Sequence, residues 1–265
     1  MTFKVHTAPG AESPTREALW AQEKFPVEFV QESATADFVL TNGRDSEERL
    51  QQMRNIPREV LLTRHVDLID QRDPKKPWPR SLLTGAFKQS VFRRAKGLDL
   101  RAYALVTGTG PLTRAAMVAI FEIGYRKLRL IHTPEEAEAA AKIREDFAKF
   151  CFGFDIELQK RSELTLAPNN GSMIINVEDL SHDEDLLQTL LYLNFLHRPG
   201  LVVDHCESKP GESALLKEAA LSEFGTVSGI EVRSEWDLLF LNLMGVPSGL
   251  DIVTYHQRLA AATSP

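Results

Sequence analysis

Residues 103–114 read YALVTGTGPLTR, from Tyr103 to Arg114, and the architecture is read from this stretch. Tyr103–Thr107 is an apolar run that ends at Gly108-Thr109-Gly110. An amphipathic segment follows over Pro111–Gly124, with Leu112, Ala115, Ala119 and Ile123 on one stripe and Gly124 as its stop. Leu128–His132 then predicts a second strand. A strand that gives way to a helix through a glycine turn, with another strand about 30 residues on, is the opening unit of a nucleotide-binding-type sheet. One glycine permits the tight turn. A second lets backbone approach a pyrophosphate, and the helix N-terminus offers free N–H groups and partial positive charge.

The pattern continues on either side. Pro134–Phe150, Leu186–Phe195 and Ala214–Ser222 predict helices. Ile156–Leu158, Met173–Asn176, Leu201–Asp204 and Val227–Gly229 predict strands, and Glu235–Leu243 and Ile252–Ala261 predict closing helices. Strands alternating with helices imply a Rossmann-like, doubly wound parallel sheet covered on both faces. Upstream, Phe3–Thr7, Val27–Gln31, Phe38–Thr41 and Val60–Thr63 predict strands. Pro14–Lys24, capped by Ser13, and Ser46–Met53, with Ser46 as cap, predict helices. Arg72–Arg80, RDPKKPWPR, reads as a connector, and Leu82–Ala95 as the helix that leaves it. The expected organisation is a small α/β domain over 1–80 and a Rossmann-like domain over 81–265.

Composition narrows the function. The chain has 265 residues, 43% hydrophobic and 26% charged, with a formal net charge of −6. These values exclude wholesale disorder, and a mildly acidic chain is a poor partner for nucleic acid. Cys151 and Cys206 form no CxxC pair and read as reduced thiols. The first 20 residues have no apolar core of a signal peptide, and no apolar run reaches the roughly 18 residues of a membrane span. The expectation is a cytoplasmic protein without a membrane partner.

Several residues carry candidate chemistry. Pro111 removes an N–H from the phosphate end of its helix, and Arg114, one turn in, is the candidate to replace it with charge. The second strand ends Ile131-His132-Thr133, without the acid that holds a ribose diol or the arginine that holds a 2′-phosphate. His132 is either a phosphate contact or a polar strand end. The turn itself is either a nucleotide site or a structural remnant. Asp204-His205-Cys206-Glu207 is the most reactive-looking cluster, although neighbours on extended chain point to opposite faces. His182–Asp185 reads as a cation site or an acidic helix start. No metal site is expected. Trp78, among prolines, reads as an anchor at a junction.

The chain resembles the shikimate dehydrogenase family over roughly Leu82 to Gly245. ALVTGTGPLTR at Ala104–Arg114 is similar to that family's glycine loop, GxGGxxR. LIHTPEEA at Leu130–Ala137 resembles its Asn-Arg-Thr segment, and MIINVED at Met173–Asp179 places Asn176 on its asparagine. Leu201–Ala219 matches at Asp204, Pro210, Leu215 and Leu216, and Ser228–Ile230 resembles Asp-Gly-Leu. The resemblance implies NAD or NADP as cofactor, held by Gly108, Thr109, Gly110, Arg114, His132, Thr133 and Asn176.

The departures fall on the family's chemistry. Its carboxylate-gripping Ser-x-Ser is missing. Asn55–Glu59 stands nearest the segment of its catalytic lysine and lacks that lysine. Leu82–Phe87 takes the place of Asn-Thr-Asp-Gly without the aspartate. Glu207 replaces a tyrosine, and the late-helix glutamine falls on Glu235 or Trp236. Oxidising a ring hydroxyl needs a proton relay beside the hydride acceptor. The expectation is therefore a non-catalytic binding or regulatory module, with a small molecule or a protein as partner and a homodimer left open. The alternative is an active NAD(P)-dependent oxidoreductase acting on a shikimate-like or other small hydroxy acid, with His65, Asp67 and Glu235 as its titratable groups.

Overall fold

The computed structural model describes residues 2–43, 45–206, 211–247 and 249–263. The chain opens with β1 (Phe3–Thr7), α1 (Pro14–Gln22), β2 (Val27–Val30), β3 (Phe38–Leu40), α2 (Ser46–Gln51), α3 (Arg58–Thr63), β4 (Leu68–Asp70) and β5 (Trp78–Arg80). These strands make a five-stranded sheet in the order β2-β1-β3-β4-β5. The first three are parallel; β4 and β5 add on antiparallel.

The second half begins with α4 (Leu82–Arg94), β6 (Tyr103–Thr107), α5 (Pro111–Ile123), β7 (Lys127–His132), α6 (Ala137–Phe150) and β8 (Asp155–Lys160). It continues with β9 (Gly171–Asn176), α7 (Glu184–Leu191), β10 (Leu196–Asp204), α8 (Ala214–Leu221) and β11 (Gly225–Ser228), and closes with α9 (Gly229–Leu243) and α10 (Ile252–Thr263). The six strands lie in the order β11-β10-β9-β6-β7-β8, and every pairing is parallel. This is the doubly wound sheet that the apolar runs imply. β9 is buried along its whole length, as a strand covered on both faces must be. The winding direction reverses between β6 and β9, so the ligand crevice of such a sheet opens at Thr107–Gly108 and beyond Asn176.

Three local expectations are corrected. Val60–Thr63 is helical, not extended. A four-residue apolar run fits either state, and Pro57 at the N-cap with Glu59 in the first turn starts a helix instead. Ser46 does not cap α2: Asp45 holds that position, and Ser46 Oγ takes the Val66 N–H at 2.8 Å. The end of the expected connector pairs as β5, where Pro79 is tolerated because the strand is at the sheet edge.

The closing helices couple the two sheets. Trp20 Nε1 on α1 donates to Tyr255 Oη on α10 at 2.7 Å, and Tyr255 Oη donates to Asp237 Oδ2 on α9 at 2.9 Å. Phe240 of α9 meets Phe38 edge-on at 5.2 Å between ring centroids and lies 5.8 Å from Trp20. One apolar core thus runs from Val5 and Phe38 through Phe87 and Met117 to Ile175. Among the described residues, no helix is long and apolar enough to cross a membrane.

Candidate functional site

A cleft of about 520 Å³ separates the two sheets. Its walls come from the loop after β1 (Gly10, Ala11), from Arg16, from the end of β3 (Thr41, Asn42), from His65 and Asp67, and from His205, Cys206, Arg233 and Trp236. Loops at the ends of strands meet here because both sheets present their carboxyl edges to the same gap.

Asp67 is the best-held side chain in it. Its carboxylate accepts the N–H groups of Leu82 and Leu83 at 2.9 and 2.7 Å, and Trp236 Nε1 at 2.9 Å. It caps α4 from outside the helix, satisfying N–H groups that have no partner within the first turn. His65 is buried, shares Nδ1 with Ser81 Oγ at 2.9 Å, and lies 3.8 Å from Asp67. Burial holds its pKa below the ordinary histidine value despite the neighbouring carboxylate. Gly43 makes room for the ring: a Cβ there would clash with His65 Nε2. Glu235 is on the far face of α9 and ion-paired to Arg93, away from the cleft. Its neighbour Trp236 is the residue that faces the ligand space.

The cationic groups come from elsewhere. Arg16 is bound through Nε to Asp237 and lies over the Trp236 ring at 4.8 Å. Arg233, one turn before Asp237, lines the cleft. His205 meets Phe87 edge-on at 5.1 Å, and its Nδ1 is buried without a hydrogen-bond partner among the described residues. Burial, with Arg233 and His65 nearby, pushes its pKa down to about 4, so the ring is neutral near pH 7. Arg16, Asn42 and Arg233 are missed by sequence reasoning. The available signal was Arg233 and Asp237 four apart on α9, which places both on one helix face.

The other end of the crevice is the glycine turn. Gly108 has φ +76°, the left-handed conformation that favours glycine. Asn176 is a buried brace: Oδ1 takes Thr107 Oγ1 at 2.8 Å, and Nδ2 donates to Glu178 O and Asp204 Oδ1 at 2.8 and 3.0 Å. Arg114 does not reach the turn. It is buried and paired with Asp146 of α6 at 2.8 Å. His132 shares Nδ1 with its neighbour's carbonyl, Thr133 O, at 2.7 Å. Thr109 Oγ1 and Thr133 N–H both donate to Glu136, at 2.9 Å each. So an acid does stand between the turn and the end of β7, four residues later than the strand end where sequence reasoning sought it.

A second carboxylate is closer still. A Cβ on Gly108 would meet Glu178 Cγ at 3.1 Å and Cδ at 3.2 Å. Burial, together with Glu136, raises the Glu178 pKa to about 7. Arg161 lies 3.7 Å from Glu178 but is also paired to Asp183, which caps α7. With Pro111 at the first helical position, the turn has the shape of a pyrophosphate cradle but lacks a helix N–H there and is flanked by two acids, Glu136 and Glu178. The residues present do not fit a dinucleotide bound through its phosphates.

The end of β10 is tied to its neighbours by hydrogen bonds. Asp204 accepts from Asn176, from the Cys206 N–H and from Ser213 Oγ. Cys206 Sγ lies 3.2 Å from Val177 O. Glu207 and Pro210 lie outside the described residues. Among the described residues, no three His, Cys, Asp or Glu side chains group to hold a metal ion.

No protein-family model matches the sequence, and no curated protein does. Solved structures do. Quinate dehydrogenase from Corynebacterium glutamicum, in complex with NAD, superimposes with a TM-score of 0.78 over 98% of this chain and 99% of its own, at 11% identity. This chain has the shikimate dehydrogenase fold. Shikimate 5-dehydrogenase from Thermus thermophilus, in complex with NADP(H) and shikimate, gives a TM-score of 0.72 at 19% identity, over 99% and 100% of the two chains. Ligand-free 5-ketofructose reductase of Gluconobacter sp. strain CHM43 gives 0.76 at 15%, over 98% and 99%. The resemblance seen from Leu82 onward thus extends to the first sheet, where sequence motifs had faded.

Proposed function

We propose that this chain is a non-catalytic binding module on the shikimate dehydrogenase fold, taking a small carboxylate-bearing molecule in the cleft between its sheets. The observation that carries this reading is the cleft's donor set. Arg16 and Arg233 line it beside Asn42 and Trp236, and no lysine is among the described lining residues. Guanidinium groups hold carboxylates through paired N–H donors. The groups suited to moving a proton are otherwise engaged, Asp67 by three donors and His65 by burial beside Ser81. On this reading the units 1–80 and 81–265 serve as the two walls of a ligand clamp.

Calorimetric titration with shikimate, quinate and an uncharged polyol of similar size tests it. Saturable binding of a carboxylate, no binding of the polyol, and loss on the order of 10- to 100-fold on Arg233→Met are expected. Equal affinity for acid and polyol would refute the carboxylate class. The alternative, an NAD(P)-dependent oxidoreductase for a small hydroxy acid, draws on the strand–turn–helix unit with Gly108 at positive φ. Formation of reduced nicotinamide with shikimate or quinate above a no-protein control would establish it.

A further inference from the structure

The glycine turn is where the described residues disagree most with the fold around them. Thr109 and the β7 end converge on Glu136, and the side chain of Glu178 packs against Gly108 on the side where a Cβ would project. Gly110 is open, with nothing within 4 Å of a built Cβ, so the space on its side is real. The ionisable groups at the turn, Glu136 and Glu178, are acids. Arg114 is engaged by Asp146, and Arg161 is divided between Glu178 and Asp183. Pro111 withholds an N–H from the helix end that would face a phosphate.

We propose that the Glu178 side chain, packed against Gly108, closes the glycine turn to phosphate, so that this chain does not hold NAD or NADP in the crevice. A dinucleotide brings a doubly charged pyrophosphate against the turn that the Glu178 side chain fills, where it meets the bulk of that side chain and, above about pH 7, its negative charge. The turn survives for a structural reason: Gly108 admits the Glu178 side chain, and its N–H bonds the Ile131 carbonyl at 3.0 Å. The closure is independent of what the cleft binds, because the two arginines there are on other elements.

The test is direct titration with NAD, NADP and ADP-ribose, read by calorimetry, on the unmodified chain and on Glu178→Gln and Glu178→Ala. No saturation by any of the three at millimolar concentration is expected for the unmodified chain. Glu178→Ala, which removes both the charge and the bulk, is expected to bind NAD on the order of 10-fold tighter or better. Glu178→Gln is isosteric and keeps the folded state testable if the alanine variant unfolds; it is expected to gain less. Micromolar binding of NAD or NADP by the unmodified chain would overturn the proposal. So would folded Glu178→Ala and Glu178→Gln proteins that bind no better than the parent. The carboxylate titration, run without nucleotide, reports separately on the cleft.

Discussion

Asp67 decides between two accounts of the cleft, and its substitution is the most informative single change. As a structural cap it accepts three hydrogen bonds in a buried setting, two from the start of α4 and one from the Trp236 indole. Hydrogen bonds to a charged acceptor contribute about 1.5–3 kcal/mol each, and stranded buried donors cost about 1–3 kcal/mol. The three share one acceptor and are not additive, so Asp67→Ala should cost about 4–5 kcal/mol, short of the roughly 7 kcal/mol that simple summing suggests. Asp67→Asn presents an NH₂ where a donor already points, and about 2–3 kcal/mol is expected. Trp236→Phe removes one donor, with a cost of about 1 kcal/mol plus some packing. Urea unfolding followed by far-ultraviolet circular dichroism measures all three, and the Asp67/Trp236 double-mutant cycle isolates the shared bond. If Asp67→Asn unfolds within about 0.5 kcal/mol of the parent while losing ligand affinity or turnover, Asp67 belongs to the chemistry and the capping argument is wrong.

Four further outcomes are expected. His205 has its pKa lowered to about 4 from 6.5, so the stability it contributes is complete above pH 6.5 and is lost as pH falls toward 4, on the order of 3 kcal/mol in all; His205→Phe should flatten that acid limb in pH-dependent urea titrations. Glu178 is shifted upward, from 4.5 to about 7, so its contribution runs the other way, present below pH 4.5 and lost as pH rises to 7. Glu178→Gln should therefore steepen the fall in stability between about pH 6.5 and 4.5, and an unchanged slope would contradict the burial described for this carboxyl. Gly108→Ala should destabilise by about 1–2 kcal/mol through its positive φ and its contact with Glu178, and thermal unfolding should recover part of that loss in a Glu178→Ala background. Asn176→Ala should cost about 3 kcal/mol, because Thr107, Glu178 and Asp204 all lose a buried partner; a loss below about 1 kcal/mol in urea unfolding would show that the brace is dispensable.

The doubly wound sheet is legible in the amino-acid order alone. β6, the middle of β9 and Leu201–Val203 of β10 are apolar runs, and a strand covered on both faces is largely apolar, so much of the burial is written in the local composition. The glycine turn was legible for the same reason, since Gly108 satisfies a backbone requirement of its own position. α3 was not, because Val60–Thr63 is too short for periodicity to separate helix from strand. Nor were the roles of the charged residues. Arg114 sits where a phosphate contact is expected and is claimed by Asp146, 32 residues away. Glu178 looks like an ordinary loop acid until β9 is laid beside β6, which brings it against Gly108. Arg16 and Arg233 share the cleft only because α1 and α9 pack around the Trp20–Tyr255–Asp237 chain. Periodicity reports which face of an element is buried; which charge meets which is fixed by contacts between distant segments, and those exist only once the two sheets have closed on each other.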